Sequence, residues 1–272
     1  MLIRIFSKNA TYQKFEVLKS NRNKRFKHRE FLIEGVRNIN QAIANDWQFS
    51  AFIYSDEIQL SDWANNIIRS TYTDNNYVLT YDLLKQLSGK DDTSELMGIV
   101  KMREDSIYDL KLSENPLILL FDRPSNKGNL GTIIRSCDAF GVDALIITGH
   151  SVDMYDPDVI VSGMGSFFNL PVFRLADNND ILKFIEVMKE RYPGFTTIAT
   201  TAHKQAAIYK SDLKGACMLM MGNETDGLYK NLYNIADKTV TIPMAESSSA
   251  SSFNVACAAT TMLYEIIRQR SI

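Results

Sequence analysis

Short apolar runs alternate with amphipathic stretches along the N-terminal part of the chain. Runs rich in β-branched and aromatic residues predict strands at 29–35, 48–55, 76–80 and 96–103. Apolar positions at helical spacing predict helices between them, at 35–46, 60–70 and 82–89. This alternation predicts a small α/β sandwich. A polar stretch that closes on Pro116 follows, so we place a boundary near residue 108 and assign residues 1–108 to a first domain.

The remaining residues, 109–272, form a second alternation of strands and helices. The predicted strands lie at 116–121, 143–148, 170–175, 195–200, 217–222 and 238–243. These runs are apolar throughout, which is typical of parallel strands that helices cover on both faces. The predicted fold class is therefore α/β with a parallel sheet in the second domain. Such sheets bind ligands at the carboxyl ends of their strands, so we expect the chemistry in the loops that follow them.

The loop after the first of these strands opens a helix. Asn129, Gly131 and Arg135 lie near its start, and Gly141 closes it. Glycines let the backbone approach a ligand closely, and the first amides of a helix have no partner within the helix. Glycine-rich turns between strand and helix are common, so this loop alone identifies no ligand.

Two further loops follow strands of the same sheet. The strand at 217–222 leads into a turn that holds Glu224. The strand at 238–243 leads into a serine-rich loop, 247–252, and we expect Ser251 or Ser252 to cap the last helix. Taken one at a time, both loops are explained by turn and capping chemistry.

Charge is distributed unevenly along the chain. The 272 residues carry a formal net charge of −2, which gives no overall attraction to a polyanion. Residues 1–37, however, contain ten lysines and arginines against three glutamates. Next to Phe26 and Phe31, this charge fits RNA phosphates and stacked bases, although a solvated helix face is the more common explanation of a lone charge run. The RNA-contact candidates are Arg22, Lys24, Arg25, Lys27 and Arg29.

The composition also bears on compartment and metals. Cys137, Cys217 and Cys257 are widely spaced beside apolar residues, so we expect packed, reduced thiols of a cytosolic protein. The chain has no apolar run of membrane-spanning length and no secretory signal, which predicts a cytoplasmic location without a membrane partner. The three histidines lack the spacing of metal ligands, so we predict no metal site.

Taken together and in this order, the three loops resemble the signature motifs of the SpoU (TrmH-like) ribose methyltransferases of the SPOUT superfamily. The matching segments are NLGTIIRSCDAFGVDALIITG, MGNETDGL and IPMAESSSASSFNVACA, with VSGMGSFFNLPVFRL between the first two. The resemblance implies S-adenosylmethionine as cofactor, a C-terminal trefoil knot and methyl transfer to an RNA ribose 2′-hydroxyl. FLIEGVRNINQAI and MGIVKM resemble the L30e-like substrate-binding domain that these enzymes often carry.

The resemblance also assigns roles to individual positions. The residues that it places around the ribose and the methyl donor are Asn129, Arg135, Glu224, Ser252 and Asn254. The residues that it places against the cofactor are Gly222, Ile242 and Phe253, with Thr200 and Met244 as lesser candidates. This chain departs from the family pattern in the loop 244–253, which is longer than usual and ends on phenylalanine where leucine is common.

Methyl transfer to a hydroxyl needs in-line placement of the reactants, a proton acceptor and apolar walls for adenine. Arg135 is a poor base because a guanidinium stays protonated, so positioning a phosphate or the ribose suits it better. An RNA phosphate could still accept the proton through it. We expect Glu224 to orient Asn129 or the arginine.

The resemblance further implies a homodimer through the catalytic domain. The candidate interface is the helix 251–270, with Met262, Leu263, Ile266 and Ile267, although core packing explains these residues equally well. Ribosomal RNA is the preferred substrate and transfer RNA the alternative. Two other classes stay open. The intact site residues argue against a non-catalytic RNA-binding or ribosome-assembly factor, and the absent Gly-x-Gly-x-x-Gly fingerprint argues against a dinucleotide oxidoreductase.

Overall fold

The computed structural model describes residues 1–104, 106–203 and 205–271. The chain divides into two compact units. The first contains residues 1–104 and 153–169, and the second contains the described residues within 105–152 and 170–272. These units differ from a single boundary near residue 108 in one segment, because 153–169 packs with the N-terminal residues. Within the described ranges, no helix is long and apolar enough to cross a membrane.

Strands and helices alternate through both units. The strands are β1 Leu2–Ile5, β2 Glu30–Glu34, β3 Phe49–Tyr54, β4 Thr73–Leu79, β5 Leu96–Lys101, β6 Leu117–Asp122, β7 Ala144–Thr148, β8 Val172–Leu175, β9 Thr196–Thr200, β10 Ala206–Ala207, β11 Cys217–Met221 and β12 Lys238–Thr241. The helices are α1 Ala10–Ser20, α2 Arg22–His28, α3 Val36–Ala44, α4 Asp62–Ser70, α5 Tyr81–Ser88, α6 Lys127–Ala139, α7 Pro157–Ser162, α8 Asn178–Arg191, α9 Lys230–Asn234 and α10 Val255–Arg270. Each strand and helix predicted at a stated position in the first unit is confirmed.

The sheet of the first unit has the order β1-β4-β3-β5-β2. β5 is antiparallel to both of its neighbours, and the other pairs are parallel. β1 and α1 were not predicted from the sequence. The signal for α1 was present, because Tyr12, Phe15 and Leu18 recur at three-residue spacing and are all buried.

The segment 153–169 completes an aromatic cluster in the first unit. The Phe31 ring lies 4.9 Å from Tyr155 and 6.1 Å from Phe167 between centroids. The indole N–H of Trp47 donates to the carbonyl of Phe168 at 2.9 Å. Ring contacts of this kind add to the free energy gained from apolar burial. The segment is therefore part of the core of this unit.

The second unit is built on a seven-stranded sheet with the order β10-β12-β9-β11-β6-β7-β8. All neighbouring strands are parallel, as predicted. Ile118 and Met218 on adjacent strands pack with Phe184 of α8. β7 and β8 lie on one side of β6 in the sheet, and β9 to β12 lie on its other side. The strand order therefore switches at β6, and ligands in such folds bind at the carboxyl ends of the strands beside this point.

One cysteine corrects an expectation, and three residues of the last helix favour core packing. Cys137 and Cys217 are buried, and burial raises the pKa of both thiols, whereas Cys257 is exposed in the first turn of α10. All three are free, but Cys257 is not packed, because the buried side of that turn is formed by Val255 and Ala256. In the proposed interface helix, the buried side chains include Met262, Leu263 and Ile266, which belong to the core of this chain.

Candidate functional site

The start of α6 holds the first group of candidate residues. The side chain of Asn126 caps the helix and accepts the N–H of Asn129 at 2.9 Å. This places Asn129 in the first turn, just beyond the carboxyl end of β6. Arg135 lies about 9 Å further along the helix, at 1.5 Å per residue, and is exposed.

The residues 222–228 form a closed loop after β11, which we call the glycine turn. The side chain of Asn223 accepts the N–H groups of Thr225 at 3.1 Å and Asp226 at 2.7 Å. A Cβ atom at Gly222 would lie 2.0 Å from the backbone carbon of Gly227 and from the nitrogen of Leu228. No side chain fits in that space, so the turn requires glycine at this position.

Side-chain hydrogen bonds join three loops that are distant in sequence. Asn129 Nδ2 donates to Glu224 Oε1, and Ser125 Oγ donates to Glu224 Oε2 at 3.2 Å. Asn254 Nδ2 donates to Asn129 Oδ1 at 3.2 Å. The structure therefore brings together three of the five residues that the resemblance placed around the ribose. Within the described residues this network does not include Arg135, which lies further along α6.

Asn254 also begins the last helix. Its Oδ1 accepts the N–H groups of Ala256 at 2.9 Å and Cys257 at 3.3 Å, so it caps α10. The expectation that Ser251 or Ser252 caps a helix beginning at 251 is wrong. Asparagine is as good a cap as serine, and α10 begins only at Val255, beyond the reach of either serine.

A cavity of about 650 Å³ opens beside the glycine turn. All five predicted cofactor positions line it: Thr200, Gly222, Ile242, Met244 and Phe253. Glu224 and Ser252 line it as well. The side chains of Met221, Val255 and Met262 form part of the apolar lining of the cavity. This volume and this mixture of apolar side chains with loop backbone are typical of sites for small ligands, and both suit an adenine nucleoside.

The sequence reading missed two residues at this site. Ser125 holds one oxygen of Glu224, and Arg123 contacts the glycine turn from the end of β6. Both follow β6 directly, and that position was the available signal, since ligands bind beyond the carboxyl ends of parallel strands. Neither residue type suggests chemistry by itself.

The basic run in α2 is split between surface and core. Lys24, Lys27 and Arg29 are exposed, and Arg29 pairs with Glu104 at 3.0 Å. The Arg22 guanidinium lies 5.7 Å from the centre of the Phe26 ring. These four side chains lie where RNA could reach them.

Arg25 is buried instead, with 1% of its surface exposed. Its Nε donates to Asp153 at 2.7 Å, and its guanidinium also pairs with Asp156 at 3.3 Å. A third nitrogen donates to the carbonyls of Leu18 and Lys19. The prediction that Arg25 contacts RNA is therefore wrong, because two carboxylates and two carbonyls occupy its donors inside the first unit.

Comparison with known proteins identifies related sequences. A model of the SpoU rRNA Methylase family matches residues 116–264, and a model of the SpoU L30e-like domain matches residues 9–98. A 23S rRNA (uridine(2479)-2'-O)-methyltransferase from Streptomyces viridochromogenes is 38% identical over 268 residues. That alignment covers 98% of this chain and 92% of the relative.

Solved structures give the same picture. The SpoU methyltransferase AviRb from Streptomyces viridochromogenes, in complex with AdoMet, superposes with a TM-score of 0.91 at 37% identity, covering 97% of this chain and 99% of that chain. An AdoMet-bound rRNA methyltransferase from Sinorhizobium meliloti superposes with a TM-score of 0.84 at 26% identity and covers 98% of both chains.

Proposed function

The chain belongs to the SpoU rRNA methylase family, and from that premise we propose that it is an S-adenosylmethionine-dependent methyltransferase acting on a ribose 2′-hydroxyl of ribosomal RNA. The observation that carries this proposal is the convergence of Asn129, Glu224 and Asn254 beside a cavity of nucleoside size. A dinucleotide oxidoreductase is set aside by the family membership.

The cofactor would occupy the cavity beside the glycine turn. S-adenosylmethionine supplies a methyl group on a positively charged sulfur. The backbone of the glycine turn offers hydrogen-bonding groups to adenine, and Ile242, Met221 and Met262 offer apolar contact. Phe253, which is 49% exposed, lies at the solvent side of this lining. The chain thus supplies a polar edge and apolar walls for one nucleoside.

The hydrogen-bonded amides and carboxylate hold the acceptor ribose. Glu224 fixes the orientation of the Asn129 amide, because its carboxylate can only accept and therefore takes the Nδ2 side of that amide. The Asn129 oxygen is in turn held by Asn254. Arg135 binds a phosphate or the ribose from α6 and so positions the RNA, and an RNA phosphate beside it accepts the proton that the 2′-hydroxyl loses.

The first unit contributes RNA affinity. Its match to an L30e-like domain, the exposed side chains of Lys24, Lys27 and Arg29, and the half-buried Arg22 support an RNA contact through these four residues. The family resemblance supports three further parts of the proposal: a trefoil knot in the second unit, a homodimer through the catalytic domain, and a cytoplasmic location. Residues 1–108 would form the substrate domain and residues 109–272 the catalytic domain.

Replacement of Arg135 tests the division of roles. Arg135→Ala should lower methyl transfer to ribosomal RNA at least 100-fold while the dissociation constant for S-adenosylmethionine, measured by calorimetry, stays within about threefold. Arg191→Ala removes another exposed arginine of the same unit from α8 and should change neither quantity. Equal losses of binding and transfer in Arg135→Ala would contradict this assignment. A wild-type protein that binds RNA but no S-adenosylmethionine would instead be a non-catalytic factor.

A further inference from the structure

Arg123, the residue that follows β6, adopts an unusual backbone conformation. Its φ is +50°, in the left-handed region that residues other than glycine and asparagine rarely adopt. Its aliphatic stem lies against Gly149, where an added Cβ would come within 2.6 Å of Arg123 Cγ. Such conformations persist where the surroundings hold them, and they concentrate at functional sites.

The guanidinium of Arg123 reaches the second half of the glycine turn. Its Nη2 donates to the carbonyl of Gly227 at 3.0 Å, and its Nη1 lies 3.4 Å from Asp226 Oδ2. The group also lies 5.6 Å from the centre of the Tyr229 ring. A planar guanidinium can serve all these partners at once, whereas a lysine ammonium could not.

Asp122, the last residue of β6, hydrogen-bonds to Arg123 and to the residue that follows the same loop. Its carboxylate is 3% exposed and accepts Arg123 Nε at 3.0 Å and the Tyr229 N–H at 2.8 Å. Its other oxygen accepts the hydroxyl of Thr148, at the end of β7, at 2.5 Å. Asp122 therefore ties the end of β7, Arg123 and the residue after the glycine turn to one point.

These contacts enclose the part of the loop that carries Glu224. Arg123 holds the turn at 226 and 227, and Asp122 holds position 229 just after it. Ser125 and Asn129 hold the turn at 224. Every residue from 222 to 228 lines the cavity. We therefore expect a change at Arg123 to alter both the cavity wall and the direction in which Glu224 points.

We propose that Asp122 and Arg123 are positioning residues that set the glycine turn, and through it both the cofactor cavity and the orientation of Glu224 towards Asn129. This inference rests on the proposed methyltransferase function. Arg123 acts on the reaction through the loop and does not touch the RNA.

The first test measures cofactor binding apart from activity. Arg123→Ala should raise the dissociation constant for S-adenosylmethionine about tenfold by calorimetry and lower kcat, while RNA affinity stays unchanged. Arg123→Lys, which keeps the charge but loses the forked contact, should recover only part of the cofactor affinity. A variant that loses RNA affinity and binds the cofactor normally would make Arg123 a phosphate contact and overturn the proposal.

Arg270 offers a matched control in the same unit. It also donates to backbone carbonyls, those of Asn115 at 2.8 Å and Gly215 at 2.6 Å. These residues precede β6 and β11, at the ends of those strands that lie away from the cavity. Arg270→Ala should lower the melting temperature at least as much as Arg123→Ala and leave cofactor affinity unchanged. If both variants weaken cofactor binding equally, Arg123 has a merely structural role and the proposal fails.

A double-mutant cycle tests the route through Glu224. Arg123→Ala combined with Glu224→Ala should reduce kcat no further than Glu224→Ala alone, because the positioned carboxylate is already absent. Multiplicative losses would show that Arg123 acts independently and would overturn the inference. Failure of the proposed function looks different, since the wild-type protein itself would then neither bind S-adenosylmethionine nor methylate RNA.

Discussion

The basic helix α2 and the glycine turn were both predicted to be functional, but the structure organises them in opposite ways. In α2 the sequence shows four basic residues close together, and the structure buries one of them, Arg25, while the others reach the surface. In the glycine turn the sequence shows a single glutamate between two glycines, and the structure joins that glutamate to residues 95 and 99 positions away. In α2, neighbouring residues of the same type take different environments. In the glycine turn, residues far apart in sequence are hydrogen-bonded to each other.

The difference teaches how mutations should combine. Exposed charges in α2 act on a polyanion through space, so their effects should be small, salt-dependent and close to additive. Residues of the glycine turn share hydrogen-bond partners, so removing one changes the value of the others. Three experiments sharpen or break this contrast.

The largest effect is expected at Arg25. Arg25→Ala leaves Asp153 and Asp156 buried without their cation, and loss of one partner of a buried ion pair typically costs about 3–5 kcal/mol. Urea unfolding should show that loss in the free energy of unfolding. Lys24→Ala, one residue away and exposed, should change it by less than about 0.5 kcal/mol. Equal effects at the two positions would return Arg25 to the surface run and remove the contrast.

Sequence patterns predicted most of the fold because its elements follow local rules. Apolar runs located every strand named above except β1 and β10, and the unbroken apolar character of the later runs predicted the parallel pairing of the second sheet. The burial of Arg25 could not be predicted in this way, because its carboxylate partners lie 128 and 131 residues further along the chain. A charge at a helical position looks the same in sequence whether water or a distant aspartate faces it.

A smaller but specific loss is expected when Gly222 is replaced. Gly222→Ala places a methyl group within 2.0 Å of backbone atoms, so the turn must open. We expect at least a tenfold loss of S-adenosylmethionine affinity by calorimetry, with most of the folding stability retained. Gly215→Ala is the matched control, since its Cβ would meet no atom within 4 Å and its backbone has no positive φ. Unchanged cofactor affinity in Gly222→Ala would separate the turn from the cofactor site.

The site itself was predictable only in part. The family resemblance placed Asn129, Glu224 and Asn254 correctly as neighbours, because their spacing follows the motifs. It could not place Arg123, whose role depends on a left-handed backbone and on the absence of a side chain at Gly149. Neither property is written in the residue type of position 123.

The smallest effect is expected from the exposed charges of α2. The triple variant Arg22→Glu, Lys24→Glu and Lys27→Glu should weaken RNA binding and flatten the slope of log K against log salt by about 2, from about 0.7 per phosphate contact on single strands. Titrations at several salt concentrations measure this slope. Reversal of Lys183, Arg191 and Lys210 in the second unit changes the net charge equally and serves as the control. An unchanged slope in the α2 variant would leave these charges solubilising only.

The packing of 153–169 into the first unit bears on how this protein is made and inherited. During translation, Phe31 and Trp47 are synthesised long before Phe167 and Phe168. The aromatic cluster therefore cannot form until β6 and β7 of the second sheet have also been synthesised. A fragment that stops at residue 104 would leave the Arg25 guanidinium without Asp153 and Asp156. The N-terminal residues therefore cannot be exchanged independently of the segment 153–169. A recombination event that exchanged one of them between relatives would have to bring a compatible 153–169 segment with it.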